Sequence, residues 1–212
     1  MPEEQQHGFA FQAFVKQLAT RLTGCQVAND QYTGKWDLPP QANPIANGGP
    51  ISIKTAQWGT GIGFGDALRQ FDVAERFTLV VGFWKWHGGA KRVVKVVVVS
   101  VEPEVWQGLW HPIQRANLAQ LDAVVKDMTR RPAGARLAAQ AIVTRAPFTG
   151  AVITVNRKID SKGQRRVQCS LTQAKFFTHL APQFQAAPEA EPSLWGERAP
   201  LELPGRKRFG AV

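Results

Sequence analysis

The sequence predicts a mixed α/β protein: a central mixed sheet flanked by helices. Three observations carry that expectation. Apolar residues recur at helical spacing in an N-terminal run, residues 8–23. Three β-prone segments, ISIKTA, FTLVVGFW and RVVKVVVVSV, then follow at short spacing. Through the rest of the chain helix-like and strand-like periods alternate, the pattern of a sheet with helices packed on it.

Each element has its own reason. In residues 8–23, Phe11, Phe14, Val15, Leu18 and Leu22 step by three and four, and Gly24 follows as a stop. A short extended piece places Trp36 and Leu38 around Asp37. The stretch PPQANPIANGGP is dense in turn formers and predicts a loop. ISIKTA, residues 51–56, alternates apolar and polar as a strand does. Glycines at 59, 61, 63 and 65 break it, and a helix is expected over residues 66–75. FTLVVGFW predicts a strand and WHGGAK a tight connection. RVVKVVVVSV is apolar enough to run inside a sheet.

Farther on, Leu118, Leu121, Val125 and Met128 mark an amphipathic helix, and the Ala-rich residues 133–146 predict another. AVITV and RVQCSL predict two strands joined by the polar turn NRKIDSKGQR, with a short helix over residues 172–180. No internal repeat is visible. One domain is expected over residues 8–181. Residues 182–212 are expected to form a loosely ordered, Pro-rich tail with a basic end, GRKRFGAV.

The charge balance narrows the partners. Against 16 Asp and Glu stand 26 Lys and Arg, a net charge of +10 and a pI near 10.1. Such a surplus favours polyanions: DNA, RNA or an acidic membrane face. No apolar run nears the roughly 20 residues that cross a bilayer. The longest, residues 93–101, is interrupted by Lys95. The polar, acidic start MPEEQQHGFAF does not resemble a signal peptide. Cys25 and Cys169 lie far apart with no CxxC spacing, so free thiols and a cytoplasmic setting are expected. His7, His87, His111 and His179 stand isolated, without HxH or HExxH spacing, which disfavours a zinc nuclease.

Hydrolysis of a phosphodiester needs a divalent cation on hard oxygen ligands and a cationic side chain to orient water or meet charge. Asp37, then Ser52 and Lys54, supply such groups in order. Strand side chains repeat every two residues, so Ser52, Lys54 and Ala56 share one face, and Ile51 and Ile53 the other. The plainer alternatives are a turn cap before Pro39 for Asp37 and a solvated edge-strand lysine for Lys54.

In chain order, the helix GFAFQAFVKQL, the Asp of KWDL, the strand ISIKT, the helix GDALRQF and the strand FTLVVGFW resemble the PD-(D/E)xK nuclease superfamily, to which most type II restriction enzymes belong. The resemblance spans residues 8–180. It implies a restriction-endonuclease-like fold and a Mg²⁺-dependent endodeoxyribonuclease that cuts double-stranded DNA as a homodimer. Asp37 would hold the metal, and Lys54 would orient water or stabilise charge. Two positions depart from the pattern: Gln12 stands where the helix often carries Glu, and Ser52 where an acidic residue precedes x-Lys. Asp66 is the candidate replacement ligand, although after Gly65 it also suits a helix N-cap. Gln12 and Gln57 offer neutral oxygens, which Mg²⁺ tolerates.

The segment NRKIDSKGQRRVQCSL is similar to stretches that approach DNA in some restriction enzymes. Residues 157–166 carry five Lys and Arg against one Asp. Lys158, Lys162, Arg165, Arg166 and Gln168 are therefore expected to contact phosphates or base edges. Two other readings stay open. One is a non-catalytic DNA-binding protein of the same fold, motivated by the missing carboxylates. The other is an RNA-binding structural protein, motivated by the basic tail, although no RNP-like aromatic run supports it.

Overall fold

The structure, a computed structural model, describes residues 6–26, 35–160, 164–200 and 202–203, excepting the side chains of residues 6 and 7. Its elements in chain order are α1 (Gln6–Thr23), β1 (Ile51–Gln57), β2 (Ile62–Asp66), α2 (Ala67–Phe71), β3 (Phe77–His87), β4 (Ala90–Val101), α3 (Pro103–Gly108), α4 (Arg115–Lys126), α5 (Pro132–Val143), β5 (Thr154–Ile159), β6 (Arg165–Leu171), α6 (Gln173–His179), β7 (Ser193–Leu194), β8 (Glu197–Arg198) and β9 (Glu202–Leu203). The chain divides into two compact units. One takes Met1–Thr60, Glu75–Glu102 and Leu180–Val212; the other takes Gly61–Ala74 and Pro103–His179.

The first unit is built on a mixed sheet of order β1-β3-β4-β9. β1 runs parallel to β3, from Ile51 opposite Thr78 to Gln57 opposite Trp84. β3 and β4 form an antiparallel hairpin closed by His87 opposite Ala90. The three segments read as strands from their sequence therefore lie side by side. Gly88 and Gly89, both at positive φ (54° and 87°), form the two-residue turn. Such a turn matches the right-handed twist of the strands and demands residues that tolerate positive φ.

The helix α1 covers one face of this sheet. Phe11, Val15, Leu18 and Ala19 are buried against Ile51, Ile53, Val80, Trp84, Val93 and Val96. Each large apolar side chain buried in this way contributes about 1.5–3 kcal/mol. The Phe11 ring lies directly on the backbone of β3: a Cβ at Gly82 would stand 2.6 Å from its Cζ. Glycine at 82 is what lets the helix seat at this distance.

The C-terminal segment is more ordered than its composition suggests. Glu189 N–H donates to the Val94 carbonyl (2.6 Å), and its carboxylate meets the buried Lys95 ammonium at 2.6 Å. β7 and β8 pair with each other, β9 pairs with β4, and Leu194, Ala199 and Leu203 are buried. Single apolar anchors separated by turns leave no periodic signal, so sequence alone reads this strap as a loose tail. The terminal GRKR lies outside the described residues.

The second unit holds an antiparallel sheet of order β2-β6-β5, with α4 and α5 packed on it. Its core includes Phe64 edge-on to Trp106 (5.2 Å between ring centres), Leu118, Leu121, Val125 and Val167. The strand expected over RVQCSL forms as β6; that expected over AVITV is displaced, β5 keeping only Thr154 and Val155 of it and taking up Asn156–Ile159 of the expected turn. The glycines end β1 at Gln57 as expected, but residues 62–66 add a strand that the pattern does not foresee, β2, whose register shifts between Gly63 and Gly65. The helix expected over residues 66–75 is only the five-residue α2. Met128 lies past the end of α4 and is 70% exposed, so it is no part of that helix's apolar stripe. Both cysteines are free thiols. Among the described residues, no helix is long and apolar enough to cross a membrane.

Candidate functional site

The first candidate site lies along the outer edge of β1. One side of that strand pairs with β3. On its other side Leu38 forms an antiparallel bridge to Ile51, through Ile51 N–H to Leu38 O (2.9 Å) and Leu38 N–H to Ile51 O (3.2 Å). Beyond the bridge the Asp37 carboxylate replaces a neighbouring strand. Its Oδ2 accepts the Ile53 N–H at 2.6 Å, and its Oδ1 accepts the Gln12 Nε2 amide at 2.6 Å. The Lys54 ammonium stands 3.4 Å from Asp37 Oδ2 and donates to the Ile53 carbonyl at 3.1 Å. Asp37 and Lys54 keep 23% and 20% of their side-chain surface exposed, so the pair opens to solvent. Three residues from a helix, a bridge and a strand, at positions 12, 37 and 54, thus meet at one carboxylate.

The loop between Asp37 and β1 is pinned at both ends. Asn43 Nδ2 donates to the Gly49 carbonyl (2.7 Å) and to Thr78 Oγ1 (2.8 Å), and Thr78 Oγ1 donates to the Gly48 carbonyl (2.8 Å). Just before Asp37, Glu75 accepts from Lys35 Nζ (2.8 Å) and Trp36 Nε1 (3.1 Å). The Lys35 hydrogen bond holds the Glu75 carboxyl below its ordinary pKa, and the Trp36 bond adds to the effect. Sequence alone singled out neither Asn43 nor Glu75; isolated polar residues in loops give no periodic signal.

The remaining predicted residues lie elsewhere. Ser52 is buried, and the hydrogen bonds of the Asp37 cluster do not include it. Gln57 is exposed at the end of β1. Asp66 belongs to the second unit, where its Oδ1 accepts the Arg69 N–H at 2.9 Å and caps α2. Its cap role, one of the two readings of the sequence, is the one the geometry displays.

Among the described residues, no group of three His, Cys, Asp or Glu side chains gathers as metal ligands would. The donors at β1 are one carboxylate and one backbone carbonyl. Asp37 Oδ2 and Ile53 O nevertheless share a single cationic group, the Lys54 ammonium. Two oxygens converging on one cation suit a hard ion. Mg²⁺ in particular is often held by one or two carboxylates, with water and substrate phosphate filling the rest of its shell. One carboxylate and one carbonyl are no full protein cage; they would hold a Mg²⁺ only with water and phosphate completing its shell.

The second candidate site is an open face of the second unit's sheet. Strand alternation puts Thr154, Asn156 and Lys158 of β5 on one face, opposite Ser170, Gln168 and Arg166 of β6 in register. Lys158 and Arg166 are exposed cross-strand partners, and Asn156 Nδ2 donates to Ser170 Oγ at 2.8 Å. β2 continues the face with Asp66 opposite Gln168, and with Gly63, exposed and without a side chain, opposite Ser170. Amides and cations displayed on a flat, polar, glycine-edged face can meet phosphates and base edges.

Arg165 points to the other face. Its guanidinium donates to the Asp127 carbonyl and to the Arg130 carbonyl (2.7 Å), tying β6 to the end of α4. It is therefore occupied in packing the unit, unlike Arg166. Asn156 has no charge to single it out in the sequence; Val155 and Ile159, buried on the other face, mark the side on which 154, 156 and 158 lie. Lys162 lies outside the described residues.

Fold and sites together define a basic α/β protein with an Asp–Lys strand edge and a cationic sheet face. Compared with known protein families, characterised proteins and solved structures, the chain shows no significant match.

Proposed function

We propose that this chain is a Mg²⁺-dependent endonuclease of the PD-(D/E)xK kind, cutting double-stranded DNA in the manner of a type II restriction enzyme. One observation carries the reading. Asp37, Lys54 and Gln12, far apart in sequence, meet at a single solvent-open carboxylate. In this reading Asp37 and the Ile53 carbonyl hold the metal. When bound, Mg²⁺ polarises the phosphate and lowers the pKa of a water. Gln12 fixes the rotation of the Asp37 carboxylate, and Ile53 N–H secures its other oxygen. Lys54 brings three donors that reach phosphate or the attacking water once it leaves Asp37. Lys158, Arg166, Gln168 and Asn156 grip the duplex, and a homodimer would match a palindromic target.

Incubation with mixed plasmid and phage DNA tests this, with Mg²⁺ or with chelator. Discrete Mg²⁺-dependent fragments are expected, absent for Asp37→Asn and Lys54→Ala. Double substitution of Lys158 and Arg166 by Ala should flatten the salt dependence of duplex binding by about 0.9 per lost phosphate contact. An Asp37→Asn protein that cuts at the parent's rate would refute the assignment.

A second reading is a DNA-binding protein of this layout that does not cleave. What favours it is that Asp37, the one carboxylate of the cluster, already accepts from an amide, a backbone N–H and an ammonium. Duplex binding with no fragments at any Mg²⁺ concentration would select it.

A further inference from the structure

The β3–β4 hairpin itself carries only cationic charges. Between Glu75 and Glu102 the chain has no Asp or Glu, yet it carries Arg76, Lys85, Lys91, Arg92, Lys95 and His87. β1 pairs with β3 only as far as Trp84, so Lys85, Trp86 and His87 extend past that partner. All three are exposed, Trp86 to 42%.

An indole at a solvent-facing tip needs support to stay ordered, and Trp86 has it. The Trp84 ring meets it edge-on at 5.7 Å. The Lys91 ammonium lies 4.7 Å from the Trp84 ring centre and 5.3 Å from that of Trp86. Such cation–π contacts gain strength when desolvated. Lys91 is 8% exposed, and burial holds its pKa below the ordinary value. The result is a Trp86 ring braced from within and open outside.

Beside this ring runs a groove of about 400 Å³, lined by Lys85, Trp86, His87, Arg92 and Val94 on the hairpin and by residues 188–190 on the strap. That volume lies at the small end of the roughly 300–1,000 Å³ typical of ligand clefts. Lys85 and Arg92 are cross-strand partners on the face opposite that of the next pair, Trp86 and Lys91, and the Lys85 ammonium also lies 5.6 Å from the Trp58 ring centre. Two carboxylates lie nearby: Glu189, already meeting the Lys95 ammonium, and Glu202, opposite Arg92 on β9. Lys85, Trp86 and Arg92 nevertheless all border the one groove at the narrow tip, and an aromatic ring with cations along one groove is a layout that binds single strands, bases stacking on the ring and phosphates meeting the cations.

We propose that this hairpin tip binds single-stranded nucleic acid, with Trp86 stacking on an unpaired base and Lys85 and Arg92 holding the flanking phosphates. The site acts independently of cleavage at Asp37. Fluorescence anisotropy of a labelled oligothymidylate dodecamer, titrated with the full chain in chelator, tests it. The comparators are an abasic dodecamer and a duplex of equal length. The thymidylate strand should bind more tightly than the abasic one. Trp86→Ala should weaken it roughly 5- to 100-fold, the worth of one stacked base, while duplex binding stays at the parent level. Trp86→Phe should keep most of the affinity. Joint substitution of Lys85 and Arg92 by Ala should reduce the salt slope by about 0.7 per lost contact.

A parallel titration with a uridylate dodecamer separates DNA from RNA as the natural source, and binding of either strand in this pattern supports the site. Equal affinity for thymidylate and abasic strands would overturn the proposal. So would unchanged thymidylate binding in Trp86→Ala, or a loss in Trp86→Ala that extends to the duplex and that Phe does not rescue. Absence of duplex cleavage in Mg²⁺ bears on the Asp37 assignment alone.

Discussion

Substitution at Asp37 separates what the carboxylate does for the fold from what it would do for chemistry. Asp37→Asn keeps one oxygen, which can still accept the Ile53 N–H. Its amide then faces Gln12, whose own amide can turn over and present oxygen instead of nitrogen. Only the Lys54 ion pair is lost, and at 3.4 Å and about one-fifth exposed it is worth roughly 1 kcal/mol. Asp37→Ala removes every acceptor. The Ile53 N–H then lacks its 2.6 Å partner, at a cost of about 1–3 kcal/mol, and the Gln12 bond adds about 1 kcal/mol. The Ala variant should thus be less stable than the Asn variant by about 2–4 kcal/mol, measured as the shift in urea midpoint at constant m-value. Both should lose Mg²⁺-dependent cutting, so activity and stability would not track each other. Equal destabilisation in the two variants would refute the amide-turnover argument and give Asp37 a structural need for charge.

Three further expectations follow from the same geometry. Glu75 titrates below its ordinary pKa because of its Lys35 and Trp36 bonds; its stabilising share is complete above the ordinary carboxylate value and lost as pH falls through the lowered one, so Glu75→Gln should flatten the stability curve on the acid side of that ordinary value, by under about 1 kcal/mol for so exposed a pair. Gly82→Ala drives a methyl to 2.6 Å from the buried Phe11 ring and should cost about 1–3 kcal/mol in urea unfolding, partly restored by Phe11→Leu; a neutral result would mean that α1 does not seat on β3. Gln12→Glu sets a second carboxylate 2.6 Å from Asp37, which should lower the melting temperature in chelator and make it rise with Mg²⁺ more than the parent's does; an equal Mg²⁺ response in both proteins would contradict a site short of negative charge.

Much of the first unit was legible because its signals are periodic. ISIKTA alternates, FTLVVGFW and RVVKVVVVSV are long β-prone runs, and residues 8–23 repeat at helical steps, so sheet and covering helix could be placed by pattern. What escaped was aperiodic. β2 hides among glycines because its strand bulges between Gly63 and Gly65. The C-terminal strap hides among prolines because Leu194 and Leu203 anchor it singly. Arg165 and Arg166 are adjacent and chemically alike, but a strand turns successive side chains to opposite faces. One therefore caps α4 while the other stands open, a distinction that charge counting misses and strand alternation supplies.

Whether the Asp37 edge cleaves turns on its balance of charge. As the fold rests, Asp37 and Lys54 cancel, so a divalent ion approaching from water gains little net attraction beyond the two oxygens. A phosphate changes that balance twice over. It offers Lys54 a second anion, which competes for the ammonium, and it brings negative charge to a place where Asp37 and the Ile53 carbonyl already converge. Metal and DNA would then bind as partners, each raising the other's affinity, as linkage requires when two ligands share a neutralised site. An edge of this kind would hold the metal chiefly when a strand is in place. A neutral Gln12 beside Asp37 suits such a design, because a second carboxylate there would attract the cation before the DNA arrived.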